Sequence, residues 1–159
     1  MSINNGDIVV ALFLREDSRS FHWALAISRG GTVFYRMHAR NDLSTPGWHY
    51  DSGDYHLFES RTLAAVIKIG NINRSHKSVL QINDLVKDIP HRIEWRDSDS
   101  RAPYNCRVWV RNAVRALNSA RVIACPDALA LEAECLAKGF TFVNQGYPMV
   151  IISDAMYSN

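Results

Sequence analysis

The run Phe21-His22-Trp23-Ala24-Leu25-Ala26-Ile27 decides how this chain is read. Its aromatic and branched side chains suit a strand, and a period of two puts Phe21, Trp23, Leu25 and Ile27 on one face. His22, Ala24 and Ala26 share the other face. Two alanines beside a histidine leave a shallow groove there, in which a helix can approach the imidazole. Arg29-Gly30-Gly31 follows and leads into the alternating run Thr32 to His38, which predicts an antiparallel hairpin. Ile8 to Leu14 and Leu63 to Ile69 are further short, apolar, β-rich runs, so a sheet opens the chain.

Outward from the hairpin, Asn41 to Tyr55 contains Pro46, Gly47 and Gly53 and reads as a loop that presents Trp48 and Tyr50 at the rim of a cleft. His49 and His56 in the same region read as surface residues. Val79, Ile82, Leu85 and Val86 recur at helical spacing between Ser78 and Lys87, and Pro90 stops that helix. After the polar stretch Arg96 to Pro103, a second helix opens near Cys106. Cys106, Trp109, Val110, Ala113, Val114 and Leu117 lie on one face of it, and Arg107, Arg111 and Arg115 form a stripe expected to face solvent. A third helix is capped by Asp127, runs through Leu131 and Leu136, and is expected to end at Gly139. The tail Met149 to Ile152 reads as a last strand.

The whole composition fits a single α+β domain over residues 1–159, with 47% hydrophobic residues to fill one core. Eighteen Lys and Arg against sixteen Asp and Glu leave a charge of +2, too small to draw a nucleic-acid partner by bulk electrostatics. The first residues lack an export signal, and Ile8 to Leu14 is too short to span a bilayer, so no stable membrane insertion is expected. Three cysteines without metal-site spacing predict reduced thiols, a cytoplasmic setting, and no metal or cofactor. The oligomeric state leaves no mark in the sequence.

The chemistry-bearing residues are Cys106 and His22. Asn105 is placed to cap the helix that Cys106 opens, so the thiol sits in the first turn, where the helix dipole favours a negative group. A histidine in contact with a thiol forms the nucleophile and base pair of thiol catalysis. A third group usually orients the imidazole. The paired strand offers His38, Arg36 and Tyr35, of which His38 is the first choice. Trp48, Tyr50, Tyr104 and Asn105 are the expected substrate contacts, and Cys125 and Cys135 read as structural.

A strand His-Trp-Ala-Leu-Ala-Ile, a second histidine on the next strand and a distant Asn-Cys opening a helix together resemble the circularly permuted NlpC-type thiol enzymes, particularly the lecithin retinol acyltransferase and phospholipase-acyltransferase group. The resemblance implies a permuted papain-like fold, with an antiparallel sheet packed against a Cys-bearing helix. It further implies His22 as base, His38 as its orienting partner and Cys106 as nucleophile. Asn105-Cys106-Arg107-Val108 stands where that group has Asn-Cys-Glu-His. The expected activity is a cysteine-dependent hydrolase or an acyl or amide transferase acting on a small amide, ester or thioester. The backbone N–H of Cys106 is the candidate oxyanion donor. The competing expectation is a non-catalytic binding domain of the same fold, with the Trp48 and Tyr50 segment as its contact surface.

Overall fold

The computed structural model describes residues 2–42, 44, 46–145 and 150–157. Among them, six strands and three helices form an α+β fold around one mixed sheet: β1 (Asp7–Leu14), β2 (Phe21–Ser28), β3 (Val33–Arg40), β4 (His49–His56), β5 (Leu63–Asn71), α1 (Val79–Val86), α2 (Cys106–Ser119), α3 (Ala128–Gln145) and β6 (Ile151–Asp154). The strand order is β4-β3-β2-β1-β5-β6, antiparallel throughout except for the parallel β5 and β6 pair. Strand β1 is central, and Ile8 through Leu12 are fully buried, which explains a run apolar on both faces. Gly30 and Gly31 both have positive φ, the conformation the β2–β3 turn requires.

The helices lie on the Phe21, Trp23, Leu25 and Ile27 face of β2, where Trp109, Val110, Ala113 and Leu117 of α2 join the main core. This corrects the expectation that the helix approaches the alanine face. The apolar stripe of α2 demands large apolar partners, and only the odd-numbered residues of β2 supply them. Ala24 and Ala26 instead pack with Val9, Ala11, Phe13 and Phe34 in a smaller cluster on the opposite side.

Three further readings change. Residues 49–56 are an edge strand rather than loop, and its half-exposed polar side chains and Gly53 hide the alternation that marks inner strands. Helix α3 passes through Gly139 to Gln145. A Cβ at Gly139 would meet Leu12 and Phe21 at 2.9 Å, so glycine is there to let the helix close on the sheet rather than to end it. Of the tail, Ile151 and Ile152 belong to β6, while Met149 lies outside the described residues. The caps at Asn105 and Asp127 form as expected: Asn105 Oδ1 accepts from Val108 N–H at 3.1 Å and Asp127 Oδ1 from Ala130 N–H at 3.0 Å.

The arginine stripe of α2 is not solvated. Arg111 is 3% exposed and bonds Glu132 of α3 together with Asp97 and Asp99 of the preceding segment. Arg115 holds both oxygens of Asp97 at 2.8 Å, and Arg107 pairs with Glu132 at 3.0 Å. This cluster ties the segment before Cys106 and helix α3 to α2. Removing one member of such a buried set leaves carboxylates without their cation, so Arg111→Leu is expected to lose about 3 to 5 kcal/mol in urea unfolding. A loss below about 1 kcal/mol would mean that the cluster behaves as ordinary surface pairing.

Candidate active site

The β2–β3 ladder runs from Ser28 and Phe34 to Leu25 and Met37 and stops there, so the first residues of β2 are free on that side. The first turn of α2 fills the gap. The Cys106 sulfur accepts the backbone N–H of Trp23 at 3.4 Å and lies 3.9 Å from the Phe21 carbonyl, so it rests beside the backbone on either side of His22. Its third neighbour is Arg15, whose guanidinium Nη2 approaches the sulfur at 3.4 Å. The turn between β1 and β2, closed by Arg15 N–H on the Ser20 carbonyl, carries that arginine back to the start of β2.

The His22 side chain leaves the strand on the Phe13 side, with the two rings 6.1 Å apart. There it meets His38 of β3, Nε2 to Nδ1, at 2.7 Å. His38 Nε2 in turn lies 3.2 Å from Asp51 Oδ2, and the ladder that pairs His38 with Asp51 sets that contact. Arg40 holds the same Asp51 oxygen at 3.1 Å. Burial works against the Asp51 carboxylate, but its hydrogen bonds from Arg40 and His38 outweigh this and keep its pKa below the ordinary range.

An ionised Asp51 dictates the protons along the chain. It accepts from His38 Nε2–H, which leaves His38 Nδ1 as an acceptor for His22 Nε2–H, and so His22 Nδ1 carries the lone pair. Among the described residues that nitrogen has no hydrogen-bond partner, and no bond joins it to the Cys106 sulfur. Burial, followed by the charges of His38, Arg15 and Arg36, pushes His22 down to about 3. Burial and Arg36 push His38 down to about 4, with Asp51 opposing. Both imidazoles are therefore neutral at neutral pH.

The imidazole pair opens on a pocket of about 280 Å³ lined by Arg15, His22, Arg36, His38, Arg40, Asn41, Asp42 and Trp48. Trp48 forms one wall and packs edge-on against Tyr104 at 5.4 Å, and His91 stacks on that tyrosine at 5.7 Å. Tyr104 Oη and His91 Nδ1 are buried without a hydrogen-bond partner among the described residues. Tyr50 does not face the pocket: its ring packs on Trp109 and its hydroxyl donates to Asn83 Oδ1 at 2.5 Å. Asn105 spends its side-chain oxygen on the helix cap. Cys125 and Cys135 are buried elsewhere, and burial raises both thiols above the usual range. A larger groove of about 750 Å³ beside exposed Trp95 includes neither Cys106 nor His22. The described residues form no group of three His, Cys, Asp or Glu able to hold a metal, and none of their helices is long and apolar enough to cross a membrane.

Sequence reasoning missed Arg15, Asp51 and Arg40. Reading residues 49–56 as loop removed the strand that presents Asp51, whereas pairing that run with Thr32 to His38 would have brought an aspartate beside His38.

Residues 8–124 match the model of DUF6540, a family of unknown function. The chain belongs to that family. The DUF6540 match includes Arg15, His22, Arg36, His38, Asp51 and Cys106, and stops short of α3 and β6. No curated protein and no solved structure matches the chain.

The two depressed imidazoles make a pH prediction. A histidine whose folded pKa lies below its unfolded value of 6.5 binds its proton more readily when unfolded, so stability is complete above about pH 6.5 and falls as pH drops toward 4. The expected slope approaches about 1.4 kcal/mol per pH unit for each histidine. Urea midpoints measured from pH 7 to 4 should show this fall. His38→Gln should flatten it, and an unchanged slope in that variant would contradict the assignment.

Proposed function

We propose that this DUF6540 protein is a cysteine-dependent hydrolase or acyl or amide transferase with a circularly permuted papain-like, NlpC-type arrangement. Cys106 is its nucleophile, His22 its base and His38 the group that orients His22. The observation that carries this reading is the ordered chain Asp51, His38, His22, whose unpaired Nδ1 belongs to the residue flanked by the two backbone groups on which the Cys106 sulfur rests. Three free cysteines suit a reducing, cytoplasmic setting.

In the reaction, His22 Nδ1 takes the thiol proton and the sulfur adds to the carbonyl carbon of an amide, ester or thioester. Arg15 Nη2 stands 3.4 Å from the sulfur at the first turn of α2. The backbone N–H of Cys106 donates to the carbonyl oxygen as it gains charge. The leaving group departs with the proton from His22. Water or a second nucleophile, deprotonated by His22, then attacks the thioester and returns the thiol. Trp48, backed by Tyr104, forms the wall against which the acyl portion packs.

Iodoacetamide labelling at pH 7.5, followed by peptide mapping, tests the pair. Cys106 is expected to react before Cys125 and Cys135 and faster than in the urea-unfolded chain, and His22→Ala is expected to slow it by about tenfold or more. Labelling of Cys106 no faster than in the unfolded chain, or a His22→Ala rate equal to wild type, would favour the non-catalytic binding domain instead.

A further inference from the structure

Three arginines line the pocket beside His22, and they are not equivalent. Arg40 is neutralised: it holds Asp42 through Nε at 2.8 Å and Nη2 at 3.1 Å, and Asp51 through Nη1 at 3.1 Å. Arg15 and Arg36 have no carboxylate partner among the described residues. Arg15 makes its one side-chain hydrogen bond to the Cys106 sulfur. The Arg36 guanidinium sits 3.8 Å over the Tyr55 ring, and stacking of this kind is compatible with its N–H groups donating to an anion. Asp42, the one acidic residue among the described residues that line the pocket, is committed to Arg40. With both imidazoles neutral, the pocket carries a surplus of positive charge, and one of its cations, Arg15, also touches the Cys106 sulfur.

From this geometry we infer that the substrate carries an oxyanion group, a carboxylate or a phosphate, close to its scissile carbonyl, and that Arg15 and Arg36 bind it. Guanidinium groups match both anions through paired N–H donors, and a partly closed pocket strengthens that attraction over bulk water. Such a ligand also has a chemical consequence for the base. The charges of Arg15 and Arg36 help to hold His22 in its neutral form, so an anion that offsets them makes its imidazole a stronger base. An anionic substrate thereby activates the residue that must take the thiol proton, while a neutral analogue leaves it weak. This inference rests on the thiol-enzyme reading.

The test compares alkylation of Cys106 by anionic iodoacetate and by neutral iodoacetamide in low salt. The ratio of the two rates is expected to favour iodoacetate by about tenfold or more relative to the unfolded chain, and to fall toward the unfolded ratio at high ionic strength. Arg15→Gln, in an exposed turn, and Arg36→Gln should each erode the preference, with Arg36→Lys restoring part of it. A folded ratio equal to the unfolded one, or a preference untouched by both glutamine variants, overturns the anion site while leaving the thiol-enzyme reading intact. Failure of Cys106 to react with either reagent sinks the thiol-enzyme reading instead. The anion site is then judged on calorimetric titration of Cys106→Ser with succinate and with inorganic phosphate. Saturable binding lost in Arg36→Gln supports it, with the tighter ligand identifying the anion, and absence of saturable binding to either refutes it.

Discussion

Cys106 reaches the start of β2 because the residues behind it on the same helical stripe are committed to the core. Trp109 is fully buried, and Val110, Ala113 and Leu117 are at most 2% exposed against the Phe21, Trp23 and Leu25 face of the strand. Burying the larger of these side chains contributes about 1.5 to 3 kcal/mol each, enough to fix the helix in rotation and along its axis. The first turn then has little freedom, and its sulfur falls where the β2–β3 ladder ends. The buried cluster of Arg111 with Asp97, Asp99 and Glu132 secures the other side of the helix. Hydrophobic packing thus places the Cys106 thiol, and the ionic cluster holds the chain that leads into it.

The polar half of the site depends on sheet register. A one-residue slip of β4 against β3 would turn Asp51 to the other face and leave His38 without its acceptor. The order of protons from Asp51 through His38 to His22 is therefore a property of the sheet. It also separates the roles of the charged residues. Asp51 fixes a tautomer, Arg40 holds Asp51 and Asp42, and Arg15 touches the sulfur. The neutral state of both imidazoles follows from burial and from the neighbouring cations.

Much of this was legible in the residues themselves. Strand β2, its hairpin with β3, the helix opening at Cys106 and the cap at Asn105 all carry local signals: alternation, paired glycines, helical spacing and a capping side chain. The meeting of β2, β3 and α2 could be anticipated because a hairpin makes its strands neighbours and an apolar helix face must cover a sheet. What local reading could not supply was which face the helix covers, since that choice is made by matching large side chains across the core. Gly139 looked like a helix end because its real partners, Leu12 and Phe21, are far away in sequence. Arg111 looked solvated because its acids come from a polar stretch and from α3. Strand β4 was hidden by polar residues that edge strands tolerate, and Asp51 was hidden with it.

Acyl transfer to the protein itself distinguishes a reactive Cys106 from a merely structural one. Incubating it with the mono-p-nitrophenyl ester of succinate, quenching early, and mapping the modified peptide should find the succinyl group on Cys106 as a thioester. Cys106→Ser should abolish it, and a burst of p-nitrophenolate should accompany it. An ester consumed at the same rate by wild type and Cys106→Ser, or an acyl group found only on lysine, would contradict the account.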